Sequence, residues 1–92
     1  MIVSFRSKAL QRYWKRNDAS GLRADWVEKI ARRLDALDQA AEPSELDLPG
    51  FGFHALSGEL RGRYALVVSR NWRLTFGFEN GDATEVDFED YH

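Results

Sequence analysis

The sequence contains no cysteine, which excludes disulfides, thiolate-bound zinc and a thiol nucleophile and fits a reducing cytoplasm. It also lacks a long hydrophobic run. The longest aliphatic stretch is Ala65-Leu66-Val67-Val68, far short of the roughly 20 residues that span a bilayer, so no membrane partner is expected. Arg6 and Lys8 follow directly on Met1 to Phe5, so no signal peptide is readable and a cytoplasmic location is expected. Histidine is scarce, with only His54 and His92, and proline occurs only at Pro43 and Pro49. No internal repeat or low-complexity tract is present. What remains is a chain of 92 residues, 43% hydrophobic, which suits a single domain over residues 1–92 with one compact core.

The net charge of −2 conceals a strong asymmetry. Residues 1–34 carry nine Lys/Arg against three acids, and residues 35–92 carry four against twelve. A basic N-terminal half can meet a polyanion even on an acidic protein, although a solvated helix surface has the same composition.

Ile2 to Phe5 reads as a short first strand. Ser7 can cap a helix over Lys8–Arg16, with Leu10, Tyr13 and Trp14 as its apolar stripe. A second helix is expected from about Asp25 to Ala40. Asp25 and Glu28 have capping-box spacing, and Trp26 or Val27, Ile30, Leu34 and Leu37 repeat at helical intervals. Lys29, Arg32 and Arg33 are read as its basic outer face. Glu42-Pro43-Ser44 ends this helix or starts a brief helical turn, and Pro49-Gly50 marks a boundary. The period then changes to that of strands. Residues 51–57, 63–69, 72–78 and 82–89 form an expected antiparallel meander. The whole is an α+β fold with two helices on one face of a four- to five-stranded sheet. The sequence leaves open whether the first strand joins the sheet at its edge or its middle.

The final hairpin poses a register problem. A two-residue Asn80-Gly81 turn pairs Glu79 with Asp82 and Leu74 with Asp87, which puts apolar and acidic side chains on one face. A three-residue loop with a left-handed Gly81 pairs Leu74 with Val86 and Trp72 with Phe88. That second register is preferred, and it sets Arg73 beside Asp87 on the opposite face.

His54 is out of phase with Phe51 and Phe53 and so faces away from the aromatic side, in the same direction as Arg73. A terminus that follows Val86-Asp87-Phe88 directly can be held near the sheet, with His92 at its end. RNA carries its own nucleophile in the 2′-hydroxyl. Cleaving it requires a base, an acid and a cation, and two imidazoles and a guanidinium supply these without a cofactor or metal. DNA lacks the 2′-hydroxyl and would be spared. Other readings stay open on the residues alone. Arg73 and Asp87 can form a plain cross-strand ion pair, and the two histidines with Asp90 can bind a metal, though no tight ligand spacing supports it. Trp14, Trp26 and Trp72 suit a core better than a base-stacking platform. The residues by themselves do not separate a ribonuclease from a binding domain.

A resemblance adds to this. Pro49-Gly50-Phe51, the run His54 to Tyr64, Val68 to Phe76 with Asn71-Trp72-Arg73 inside it, Asn80 to Ala83, and Val86 to His92 ending Asp90-Tyr91-His92 resemble the HigB toxins. These are also called plasmid maintenance system killer proteins and lie within the RelE/ParE superfamily. The likeness covers nearly the whole chain. It implies a RelE-like fold, entry into the ribosomal 30S A site and cleavage of the mRNA there. It further implies neutralisation by a HigA-like helix-turn-helix antitoxin, and contact with operator DNA only through the antitoxin complex. His54, Arg73, Asp90, Tyr91 and His92 match the family's functional positions. The histidines would do acid–base or phosphate-orienting work, Arg73 would meet the transition-state charge, Asp90 would hold an imidazole tautomer, and Tyr91 would orient or stack on a base. RNA or ribosome contact is expected from Lys8, Arg12, Lys15, Arg16, Arg23, Lys29, Arg32, Arg33, Arg61, Arg63, Arg70 and Asn71. Ser57 stands where many relatives have lysine and Ala55 where many have proline; Arg61, Arg63 or Arg70 could make up the missing charge. The same fold also serves gyrase-poisoning ParE-like toxins, and a weakened toxin could act as an antitoxin-binding module.

Overall fold

The computed structural model describes residues 1–90. Helix α1 spans Lys8–Arg16 and α2 spans Val27–Gln39. Four strands follow: β1 His54–Ala55, β2 Arg63–Val67, β3 Trp72–Glu79 and β4 Asp82–Asp90. They form one antiparallel sheet in the order β1-β2-β3-β4.

Local chemistry sets the bounds of α1. Ser7 has an extended backbone, and its hydroxyl accepts from the Leu10 N–H at 3.2 Å. Asn17 closes the helix in the left-handed region, its N–H donating to the Tyr13 carbonyl at 2.9 Å. The capping box expected for α2 does not form. The chain enters through a 3-10 turn at Ala24–Trp26, no side chain caps the helix, and Asp25 accepts from Arg23 Nε at 2.7 Å instead. Pro43–Leu46 is a second 3-10 turn, as the proline suggested, and it seats Leu46 in the core.

Leu10 of α1 and Ile30, Leu34 and Leu37 of α2 pack with Leu66, Leu74, Phe76 and Val86 of the sheet, all fully buried. Each such side chain stabilises the fold by about 1.5–3 kcal/mol. Ile2 and Phe5 make isolated parallel bridges to Ala83 and Val86, so the N-terminal segment lies on the outer edge of β4 and not in the middle of the sheet. The expected strand over 51–57 shrinks to two residues. Gly52 has φ +59, which breaks the extended run, although the Phe51 carbonyl still accepts from Val67 N–H at 2.8 Å.

The final hairpin differs from the expected register. Asn80 (φ 52) and Gly81 (φ 82) form a two-residue turn with Glu79 opposite Asp82. The clash this turn implies is resolved further along. Glu85, at φ 48, is the extra residue of a bulge between Gly77↔Thr84 and Thr75↔Asp87. One inserted residue flips the phase of β4, so Ala83 and Val86 both face the core and Leu74 pairs with Phe88. Without it, Glu85, Asp87 and Glu89 would face the helices. Arg73 therefore sits opposite Glu89, and Asp87 sits opposite Thr75, correcting the expected Arg73–Asp87 neighbours.

Candidate active site and nucleic-acid interface

The sheet face away from the helices carries the polar residues. His54 is opposite Ala65, Ala65 opposite Thr75, and Thr75 opposite Asp87, a row that crosses all four strands. The next row on this face is Val67–Arg73–Glu89. His54 is thus two strands from Arg73 and one same-face step along. Strand spacing and rise put their Cα atoms about 12 Å apart, within reach of two long side chains converging on one phosphodiester. This face is not bare. Ala65 and Thr75 are fully buried, with Arg63 and Glu89 bonded across Thr75.

His54 is exposed, and its Nδ1 lies 3.0 Å from the Gly52 carbonyl oxygen. A carbonyl only accepts, so Nδ1 carries the proton and the lone pair of the neutral ring sits on Nε2. Gly52 is needed here for both space and conformation. Its φ is +59, and a Cβ would stand 2.7 Å from Val67 Cγ2. Arg73 is half-buried on β3. The Arg63 guanidinium donates to Thr75 Oγ1 at 3.2 Å and to the Glu85 carbonyl at 2.8 Å. Burial holds its pKa below the ordinary arginine value, Arg6 adds to this, and Glu89, Asp87 and Glu85 oppose it.

Asp90 is exposed and lies opposite Trp72, so strand alternation puts it on the other face from His54 and Arg73. Tyr91 and His92 lie outside the described residues. Ser57 is exposed before a 3-10 turn at Gly58–Leu60, and its side chain caps nothing there.

Among the expected RNA contacts, Lys8, Arg12, Lys15 and Arg16 are exposed on one side of α1, where they and Gln11 line an open groove of about 280 Å³. Lys29 and Arg32 are exposed on α2, and Arg61, Arg70 and Asn71 on the loops that flank β2. Arg23 is exposed but engaged, bonded to Asp25 and 4.8 Å above the Trp26 ring. Arg33 is a correction. It is 6% exposed and donates to the carbonyls of Val67 (2.7 Å), Gly50 (2.9 Å) and Lys29 (3.1 Å), so it clamps α2 to the sheet and adds nothing to the basic surface. Its position was legible, because Ile30, Arg33, Leu34 and Leu37 share one helical stripe. Thr75 and Glu89 are polar partners that the sequence reading missed. Their one signal was the alternation that places both on the face of Arg73.

Trp26, Trp72 and Phe88 form an aromatic cluster with ring centroids 4.9–5.9 Å apart, bordering a groove of about 470 Å³ beside α1. Among the described residues no group of His, Cys, Asp and Glu is placed to hold a metal, and no helix is long and apolar enough to cross a membrane.

Residues 3–92 match the family model described as the RelE-like toxin of the type II toxin-antitoxin system HigB. The chain is 41% identical over 92 residues to the Endoribonuclease HigB of Proteus vulgaris, with the whole of both chains aligned. It is 31% identical over 85 residues to Toxin HigB-1 of Vibrio cholerae, covering 90% of each. Among solved structures, YafQ of E. coli superposes with a TM-score of 0.55 at 14% identity, covering 98% of this chain and 93% of the other. HP0894 of Helicobacter pylori gives a TM-score of 0.52 at 14% identity, covering 98% and 94%. The last two likenesses speak to the fold.

Proposed function

The chain belongs to the HigB family of RelE-like toxins from type II toxin–antitoxin systems, and from that premise we propose that it is a ribosome-dependent endoribonuclease that cuts messenger RNA. The observation that carries this reading is the placement of His54 and Arg73 on one sheet face. His54 Nε2 takes the proton of the 2′-hydroxyl, whose oxygen attacks the adjacent phosphorus. The P–O5′ bond breaks, leaving a 2′,3′-cyclic phosphate, and an acid protonates the departing 5′-oxygen. Arg73 meets the charge that builds on the phosphoryl oxygens. No metal is assigned a step.

With His54 taken as the base, we assign the acid to His92; the family resemblance gives the histidines acid–base or phosphate-orienting work and has Tyr91 orient or stack on a base. His54 already has its Nδ1 acceptor in Gly52, so we assign to His92 the imidazole whose tautomer the resemblance has Asp90 hold. Membership of a type II system implies an antitoxin partner. We assign that partner to the HigA-like helix-turn-helix class, through which operator DNA would be reached. The exposed cations of α1 and α2 suit 16S rRNA in the A site, and the cytoplasm is where toxin, ribosome and antitoxin would meet.

The test is purified toxin with ribosomes programmed by a reporter mRNA. The wild type is expected to cut in the A-site codon, and Arg73→Ala to slow cutting on the order of 10²-fold or more while keeping its melting temperature. An uncut reporter with the wild type defeats the reading.

A further inference from the structure

Arg63 stands on the catalytic face of β2, one same-face step from Ala65, the residue opposite His54. Across the ladder it meets Gly77, whose missing Cβ spares Thr84 and would stand only in ordinary contact with the guanidinium. A Cβ at Gly77 would lie 2.8 Å from Thr84 Oγ1 and 3.9 Å from Arg63 Nη1. Both hydrogen bonds of the guanidinium run from Nη2, to Thr75 Oγ1 and to the carbonyl of the bulge residue Glu85. The Thr75 hydroxyl donates in turn to Glu89, so the carboxylate reaches Arg63 only through the threonine. Nε is buried without an acceptor among the described residues. That nitrogen is closed to solvent, but with both bonds made by Nη2 the guanidinium keeps Nη1 to meet an external anion.

The ladder also gives this anion a place. Arg63 is opposite Gly77, four residues along β3 from Arg73, with the row of His54 and Thr75 between them. Strand rise and spacing separate the Cα atoms of the two arginines by about 14 Å. That span lets the two guanidiniums meet consecutive phosphates of one RNA strand crossing the face.

We infer that Arg63 binds the RNA phosphate adjacent to the scissile one, and that Thr75 and Glu89 are the residues that position it. This rests on the RNA-cleavage reading above. The experiment uses the complete toxin on ribosomes under single-turnover conditions. The codon carries a neutral methylphosphonate at each phosphate flanking the scissile one in turn. One such substitution is expected to slow the wild type at least about tenfold, and Arg63→Ala to slow the all-phosphate substrate similarly while losing little more on the neutral linkage. Thr75→Val should reproduce much of the Arg63→Ala defect, and Thr75→Ser should restore the wild-type rate, which a merely structural threonine would not require. Arg63→Ala at the wild-type rate, or losing as much again on the neutral linkage as the wild type does, overturns the proposal. Should that variant not fold, a wild type insensitive at every flanking position overturns it equally. A wild type that leaves the all-phosphate codon intact defeats the cleavage reading itself, a result distinct from any of these.

Discussion

Arg33 donates to three backbone carbonyls and lies 4.7 Å above the Phe51 ring, so its work is structural. Arg73 is the same residue type on the far face of the sheet, half-buried and two strands from an exposed imidazole. The difference comes from the element that carries each one. An arginine on the buried stripe of α2 must find acceptors inside, and the open ends of the β2 and Gly50 backbone supply them. Arg33→Met is therefore expected to lower stability by about 3 kcal/mol, through the lost charged hydrogen bonds and the orphaned carbonyls. Its cleavage rate below the melting transition should stay near wild type. Denaturant unfolding paired with the ribosome assay checks this. Unchanged stability with lost ribosome binding would return Arg33 to the RNA surface.

At the scale of elements, what could be read from the sequence depended on whether the deciding interaction was local. The helix over Lys8–Arg16 was legible because Ser7 and the Leu10, Tyr13, Trp14 stripe lie within it. The four strands were legible from period and turn residues, but β1 was overextended because the left-handed Gly52 answers to Val67 on a neighbouring strand. The hairpin shows a harder limit. The conflict between an Asn-Gly turn and an acidic alternation was visible, but both a longer loop and a downstream bulge relieve it. The choice lies in remote contacts: Ser4 Oγ accepts from Glu85 N–H at 2.8 Å, and Arg63 donates to the Glu85 carbonyl. Of the candidate site, phase alone put His54 and Arg73 on one face, whereas their roles came with the resemblance, as did that of Asp90, which falls on the other face. Because Glu85 is a side-chain-bearing residue at φ 48, Glu85→Gly should raise stability by up to about 1 kcal/mol, and Glu85→Val should lower it by about 1–2 kcal/mol. Thermal melts of the two variants decide it, and equal losses in both would contradict the left-handed bulge.

Over the whole molecule, charge and architecture divide along the same line. The basic N-terminal third supplies the exposed cations of α1, and most of the acids follow it in the chain. Acids on β4 are compatible with the proposed RNA site because they lie against its arginines: Glu89 bonds Thr75 beside Arg63 and sits opposite Arg73. The helices fill one face of the sheet and leave the other to His54, Arg63 and Arg73, and in the proposed reaction the substrate brings its own nucleophile. The most direct measurement replaces one 2′-hydroxyl of the A-site codon with hydrogen, at the nucleotide 5′ to the cut, on ribosomes with purified toxin. The account predicts that this message stays intact while its all-ribose twin is cut to a 2′,3′-cyclic phosphate. Cleavage of the deoxy-substituted codon at the same bond and a similar rate would contradict it.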